Sequence, residues 1–208
     1  MKPVRFKLKR LREDNIKDKF LTEAEINRLL QAAREDLNPY TMLFILIGLE
    51  TSMRRSEIVS IEKDRIDIER EVILIPKAKA GARIQPMTPR LAGFLKAYLE
   101  QSDADERWLF PSKTSVNGHA HSMYSAFRRV VVAAGLDPKK VTPHAMRHTA
   151  ITNMALAGVD SFTIKQFSGH KTIQMVERYT HPTNPHVKRA MEKLQAQYEI
   201  KGFGNSLA

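Results

Sequence analysis

Cysteine is absent from this chain of 208 residues. That excludes disulfides and thiolate metal sites, and it suits a reducing cytoplasm. Long apolar runs are missing too. The longest covers 42–49, far short of the about 20 residues a spanning helix needs. The N-terminus, Met1-Lys-Pro-Val-Arg-Phe-Lys-Leu-Lys-Arg10, has no apolar stretch followed by a cleavage site, so it does not read as a secretory signal. No Gly-x4-Gly-Lys-Ser/Thr loop occurs, which removes the commonest nucleotide-phosphate cradle. No carboxylate cluster offers itself as a metal site. Internal repeats and low-complexity segments are not visible.

What is present is cationic. Lys and Arg number 34 against 23 Asp and Glu, giving a formal net charge of +11. Such a surface attracts polyanions, and DNA is the densest common one. Hydrophobic residues at 42% and charged residues at 27% give a globular balance, enough for one substantial core. Residues 1–20 are dense in Lys and Arg and read either as an arm that follows a DNA backbone or as a solvated terminus.

From residue 21 the pattern is mainly helical. Thr22-Glu-Ala-Glu25 is a capping box, with Leu21 placed to staple onto Ile26. Residues 40–50 are apolar on nearly every side, as expected of a buried central helix. A short helical pattern resumes at 56–61. The β-branched runs 66–68 and 72–75, with 83–87, predict a small antiparallel sheet whose last two strands form a hairpin around 76–82. Further helices are expected over 89–101, with Thr88 as cap and Pro89 at the first position, and over 122–134, closed by Gly135. The remaining expectations are a helix from Thr142-Pro143 to about 157, two short ones near 162–167 and 172–179, and a last one over 184–198. The fold class is mainly α with a small antiparallel β-sheet (α+β).

Chemistry concentrates at a few places. His144-Ala-Met-Arg147 is followed by Gly169-His170 and Tyr179, and Arg54 lies upstream in Thr51-Ser-Met-Arg-Arg-Ser-Glu57. Guanidiniums and imidazoles stabilise a phosphate whose charge is rising, and a phenol oxygen can attack it. His144 and Arg147, three apart, share a helical face. Glycine before His170 lets the backbone come close. The set points to metal-free transfer of a phosphodiester onto tyrosine. The remaining histidines, His148 among them, read as packing or surface residues. Arg55 competes with Arg54, and the register to Ser56-Glu57 favours Arg54. Glu57 reads as a buttress for an active-site group.

In this ordered set the chain resembles the catalytic domain of the tyrosine recombinases, the phage integrase family. The family's Thr-Gly-hydrophobic-Arg-x-Ser/Gly-Glu segment is matched by 51–57, its His-x-hydrophobic-Arg-His-Thr by 144–149, and its Leu-Gly-His by Ser168-Gly-His170. The tyrosine follows at the usual spacing. Two residues depart from the pattern. Ser52 replaces glycine, tolerable if its backbone is not left-handed, and Ser168 replaces leucine, removing a packing contact beneath His170.

The resemblance implies the tyrosine recombinase catalytic-domain fold over 21–182, with 183–208 as a C-terminal helix and tail exchanged between protomers. It implies a site-specific recombinase in which Tyr179 forms a 3′-phosphotyrosyl link and frees a 5′-hydroxyl, without metal or ATP. Arg54 and Arg147 would hold the non-bridging oxygens and His170 would add a hydrogen bond. His144 would accept or orient the tyrosine proton. Lys79 (or Lys77, two residues away) would protonate the leaving oxygen. The implied partners are double-stranded DNA and further copies of the chain, as a tetramer on DNA. No cofactor and no membrane are implied, and the location is cytoplasmic. A type IB topoisomerase and a DNA-binding protein without cleavage are the rival readings.

Overall fold

The computed structural model describes residues 20–76, 81–179 and 192. The basic arm, the hairpin tip with Lys77 and Lys79, and the segment expected to pass between protomers therefore lie outside the described residues, apart from helical Glu192.

Eight helices and three strands are described: α1 (Glu23–Arg34), α2 (Thr41–Thr51), α3 (Arg55–Val59), β1 (Ile66–Asp67), β2 (Val72–Ile75), β3 (Arg83–Pro86), α4 (Pro89–Gln101), α5 (Tyr124–Ala133), α6 (Pro143–Leu156), α7 (Ser161–Ser168) and α8 (Gln174–Glu177). The elements expected up to residue 179 are present, with ends shifted by a residue or two, and the helix expected over 184–198 lies outside the described residues except for 192. The capping box forms as expected: Thr22 Oγ1 accepts from Glu25 N, and the Glu25 carboxylate accepts from Thr22 N. The helix is also tied across the chain, because Leu21 N donates to Thr149 Oγ1 on α6 at 2.8 Å.

The core gathers around α2, whose uniformly apolar sequence lets it be covered on all sides by α1, α4, α5 and α6. Phe44 meets Phe110 and Phe127 edge-on, each with ring centroids 6.3 Å apart. Gly48 is a point of close approach between α2 and α6. A Cβ there would lie 2.7 Å from Met146 Cε. This contact sets the spacing between the two helices that deliver the arginines.

The sheet runs in the order β1-β2-β3, all antiparallel, with Ile73 opposite Gln85 and Ile75 opposite Arg83. Ile73 and Ile75 turn inward by strand alternation. Arg83 is thereby brought beside α3. A second, smaller apolar cluster joins Ile151, Ala155, Ile164 and Val176, with Tyr179 packed on it. That cluster fixes α8, and with it the tyrosine, against α6 and α7. Among the described residues no helix is long and apolar enough to cross a membrane.

Candidate active site

The first arginine sits where α2 ends and α3 begins. Ser52 caps α2 in the left-handed region, with φ 52° and ψ 17°. This is the condition under which serine in place of glycine is not neutral, and it corrects the lenient expectation. The Ser52 side chain is buried, and its hydroxyl finds no hydrogen-bond partner among the described residues. The sharp turn nevertheless has a use, since Arg147 Nη1 donates to the Ser52 carbonyl. The strained cap is thus the seat of the second arginine.

Arg54 occupies the N-cap of α3 in extended backbone. Glu57, one turn on, accepts from Arg54 N at 2.9 Å and from Arg54 Nη1 at 3.0 Å. Arg83 closes the other side, its Nη1 and Nη2 reaching the two Glu57 oxygens at 3.0 and 3.1 Å. Burial alone would push the Glu57 carboxyl up, but the bonds from Arg83 and Arg54 outweigh it and hold it below the usual range. One carboxylate therefore orders two guanidiniums. Arg83 is a site residue that sequence reasoning missed. Its only signal was position on the strand returning from the hairpin.

Gly169 caps α7 with φ 63°. A side chain there would strike the Arg83 guanidinium, since a Cβ would lie 3.0 Å from Arg83 Cζ. Glycine is needed both for the left-handed turn and for this approach. The Gly169 carbonyl accepts from Arg54 Nη2 at 3.2 Å, so the loop carrying His170 is latched to the first arginine.

Arg147 is buried at 4% exposure. Burial and then the nearby Arg54 lower its pKa to about 10, which leaves it charged at neutral pH. Its Nη2 lies 3.1 Å from His170 Nε2, and His170 Nδ1 lies 2.7 Å from Ser168 Oγ. The roles in this chain are forced. A guanidinium only donates, so Nε2 accepts. The imidazole proton then sits on Nδ1 and is given to Ser168 Oγ, whose own proton goes to the Ile164 carbonyl at 2.6 Å. Ser168 does not merely delete a packing contact, as expected from sequence; it binds the imidazole. Burial, then Arg147 and Arg54, push His170 down to about 4, so the ring is neutral.

Tyr179 follows α8, its ring centroid 6.5 Å from that of His170 and nearly parallel to it. Arg178 covers the ring, and its Nη2 donates to the phenol oxygen at 2.9 Å. The phenol oxygen is also hydrogen-bonded with His148 Nδ1. Sequence reading assigned the tyrosine proton to His144 and left His148 as packing. In the structure it is buried His148 that reaches the Tyr179 phenol oxygen, while exposed His144 stacks edge-on to His148 with centroids 4.6 Å apart. Residues i, i+3 and i+4 share a face, so spacing alone could not say which end of that face lies deeper.

Arg54, His144 and Arg147 line an open cavity of about 350 Å³, whose other walls include Arg55, Ser56 and Tyr124. Tyr179, Arg147, His170 and Arg54 are thus brought together from four places in the chain. Lys79 lies outside the described residues.

Comparison with known proteins bears on the fold and the family. The phage integrase family model matches residues 19–186. The tyrosine recombinase XerA of Thermococcus kodakarensis is 29% identical over 188 residues, covering 88% of this chain and 65% of its own length. XerD of Caulobacter vibrioides is 30% identical over 187 residues, covering 84% and 61%. The catalytic domain of the bacteriophage HP1 integrase superposes with a TM-score of 0.61 at 25% identity, covering 83% of this chain and 93% of that one. The Tn1549 transposon integrase in complex with transposon right-end DNA gives 0.73 at 26% identity, covering 88% and 68%. The chain spans just under two thirds of the length of the curated relatives it matches. With a family model covering most of the sequence and the same fold in the solved relatives, this chain belongs to the phage integrase family of tyrosine recombinases.

Proposed function

We propose that this chain forms the catalytic part of a site-specific recombinase that cleaves and rejoins duplex DNA through a 3′-phosphotyrosyl intermediate. The observation that carries this reading is one cluster of contacts within a single chain: the Arg147 guanidinium is hydrogen-bonded with His170, whose ring stacks on that of Tyr179, and the Tyr179 phenol oxygen is hydrogen-bonded with His148. A phosphate entering beside Arg54 and Arg147 meets two planar forks of donors, which strengthen as charge grows on its non-bridging oxygens. His170 adds a third contact, and His144, on the open wall, a fourth.

The Tyr179 oxygen attacks phosphorus and its proton passes to His148 Nδ1. The 5′-oxygen leaves with a proton from Lys79. One phosphoester bond is exchanged for another, so a hydroxyl from a partner strand can reverse the step without ATP. Arg178, which donates to the phenol oxygen, stabilises the negative charge that grows there as the proton leaves.

Integrase and recombinase relatives, one of them solved on transposon DNA, support recombination over simple relaxation of supercoils. The same reading places the protein in the cytoplasm as a tetramer on DNA, with 183–208 passing to a neighbour and 1–20 following the backbone. The test is covalent trapping on nicked duplex DNA. An adduct should form and vanish in Tyr179→Phe, and Arg147→Ala should lower its rate by about 10²–10³. An adduct that survives in Tyr179→Phe refutes the assignment.

A further inference from the structure

The serine that replaces the family's leucine faces a difficulty in the pocket. As the free site stands, Arg147 donates into His170 Nε2, so that nitrogen carries a lone pair. A phosphate oxygen needs a donor there instead, because two lone pairs repel. The direct remedy is an imidazolium, and the surroundings oppose it. Arg147 and His148 from α6, Arg54 at the start of α3, and Arg178 beyond α8 all disfavour a second proton on a buried ring. Arg83 from β3 lies against Gly169, next to His170. The Glu57 carboxylate is already shared between Arg54 and Arg83.

Ser168 offers another route. Its Oγ is 2.7 Å from His170 Nδ1, 2.6 Å from the Ile164 carbonyl and 3.4 Å from the Lys165 carbonyl. A hydroxyl can accept or donate through the same oxygen by rotating one bond. We propose that Ser168 is a positioning residue that switches the tautomer of His170. Its hydroxyl accepts from Nδ1–H in the empty site, then turns to donate to Nδ1 when a phosphate claims the Arg147 fork, so that neutral His170 presents Nε2–H to the anion. No net proton is taken up: one leaves Nδ1, one arrives at Nε2, and only the hydroxyl hydrogen changes partner. The hydroxyl's bond to Ile164 is given up cheaply, because a helix carbonyl also serves the backbone ladder. Leucine or alanine at 168 could neither accept nor donate, which would leave a buried nitrogen unsatisfied in both states.

This inference rests on the reading of His170 as a phosphate contact, but its test does not require DNA cleavage. Long-range ¹H–¹⁵N spectra of the full chain labelled at histidine would be recorded at pH 7, with and without inorganic sulfate. Sulfate is chosen because its charge is constant across that range, and its occupancy would be followed on arginine side-chain signals. Wild type should show His170 as Nδ1–H alone and as neutral Nε2–H with sulfate. Ser168→Ala should fail to convert, and its rate of covalent trapping should fall about tenfold, the expected consequence of one unsatisfied buried group. If the arginine signals move while wild-type His170 keeps Nδ1–H or becomes imidazolium, the switch is wrong and the recombinase reading stands. Conversion in Ser168→Ala equal to wild type overturns it as well. Arginine signals indifferent to sulfate would count against the pocket itself, whereas a normal tautomer switch without any trapped DNA would count only against the recombinase reading.

Discussion

Glu57→Gln is the substitution that most directly tests how the site is held. The carboxylate is 5% exposed on its side chain, and its partners Arg83 and Arg54 are 12% and 24% exposed. It accepts four bonds: two from Arg83, one from the Arg54 guanidinium and one from Arg54 N. Glutamine keeps the shape but loses the charge, and its amide nitrogen would point donors at donors. Removing one partner from a buried ion pair costs about 3–5 kcal/mol, and the retained carbonyl places this case near the lower end. With a urea dependence of about 2 kcal/mol per molar, the unfolding midpoint should fall by about 1.5 M. Trapping should drop too, since a single amide oxygen cannot replace the two carboxylate oxygens that anchor the Arg54 side chain and main chain. Arg83→Gln should cost less, because Glu57 would keep Arg54, and the double variant should lose less than the sum of the singles. A midpoint shift below about 0.5 M for Glu57→Gln, with additive singles, would mean that the carboxylate is not the strut described here.

Three more outcomes are expected. His170 titrates at about 4 in the fold against an ordinary 6.5, so between those values the unfolded chain holds the extra proton. Its contribution is full above about 6.5 and is lost as pH falls toward 4, at most about 3 kcal/mol. Denaturant titrations of wild type and His170→Asn should diverge from that value only in this window, and parallel curves would contradict it. Ser52→Gly should stabilise by about 1 kcal/mol, since it relieves a left-handed serine and a buried hydroxyl without a bond. Thermal unfolding reads this directly, and a lower melting point would show that the hydroxyl has a use. Gly48→Val should destabilise by about 1–3 kcal/mol by forcing α2 from Met146, and it should slow trapping beyond what stability explains, because the two arginines would be moved apart.

Much of this protein is legible along the chain. The helices at Thr22 and Thr88 announce themselves through caps, and the strands through β-branched residues. The ordered arginines, histidines and tyrosine announce the chemistry. Each is a local property: a cap, a period or a residue type acts within a few positions, and one-dimensional spacing records it. Which of His144 and His148 reaches the phenol, that Arg83 stands behind Glu57, that Ser52 is left-handed, and that Ser168 grips an imidazole were decided only by tertiary structure. The first two depend on contacts between residues 31 and 26 positions apart, the third on a backbone angle imposed by packing, and the last on how a helix cap turns two near neighbours toward each other. A pattern of nearby letters carries no record of depth, direction or the charge waiting on the next helix.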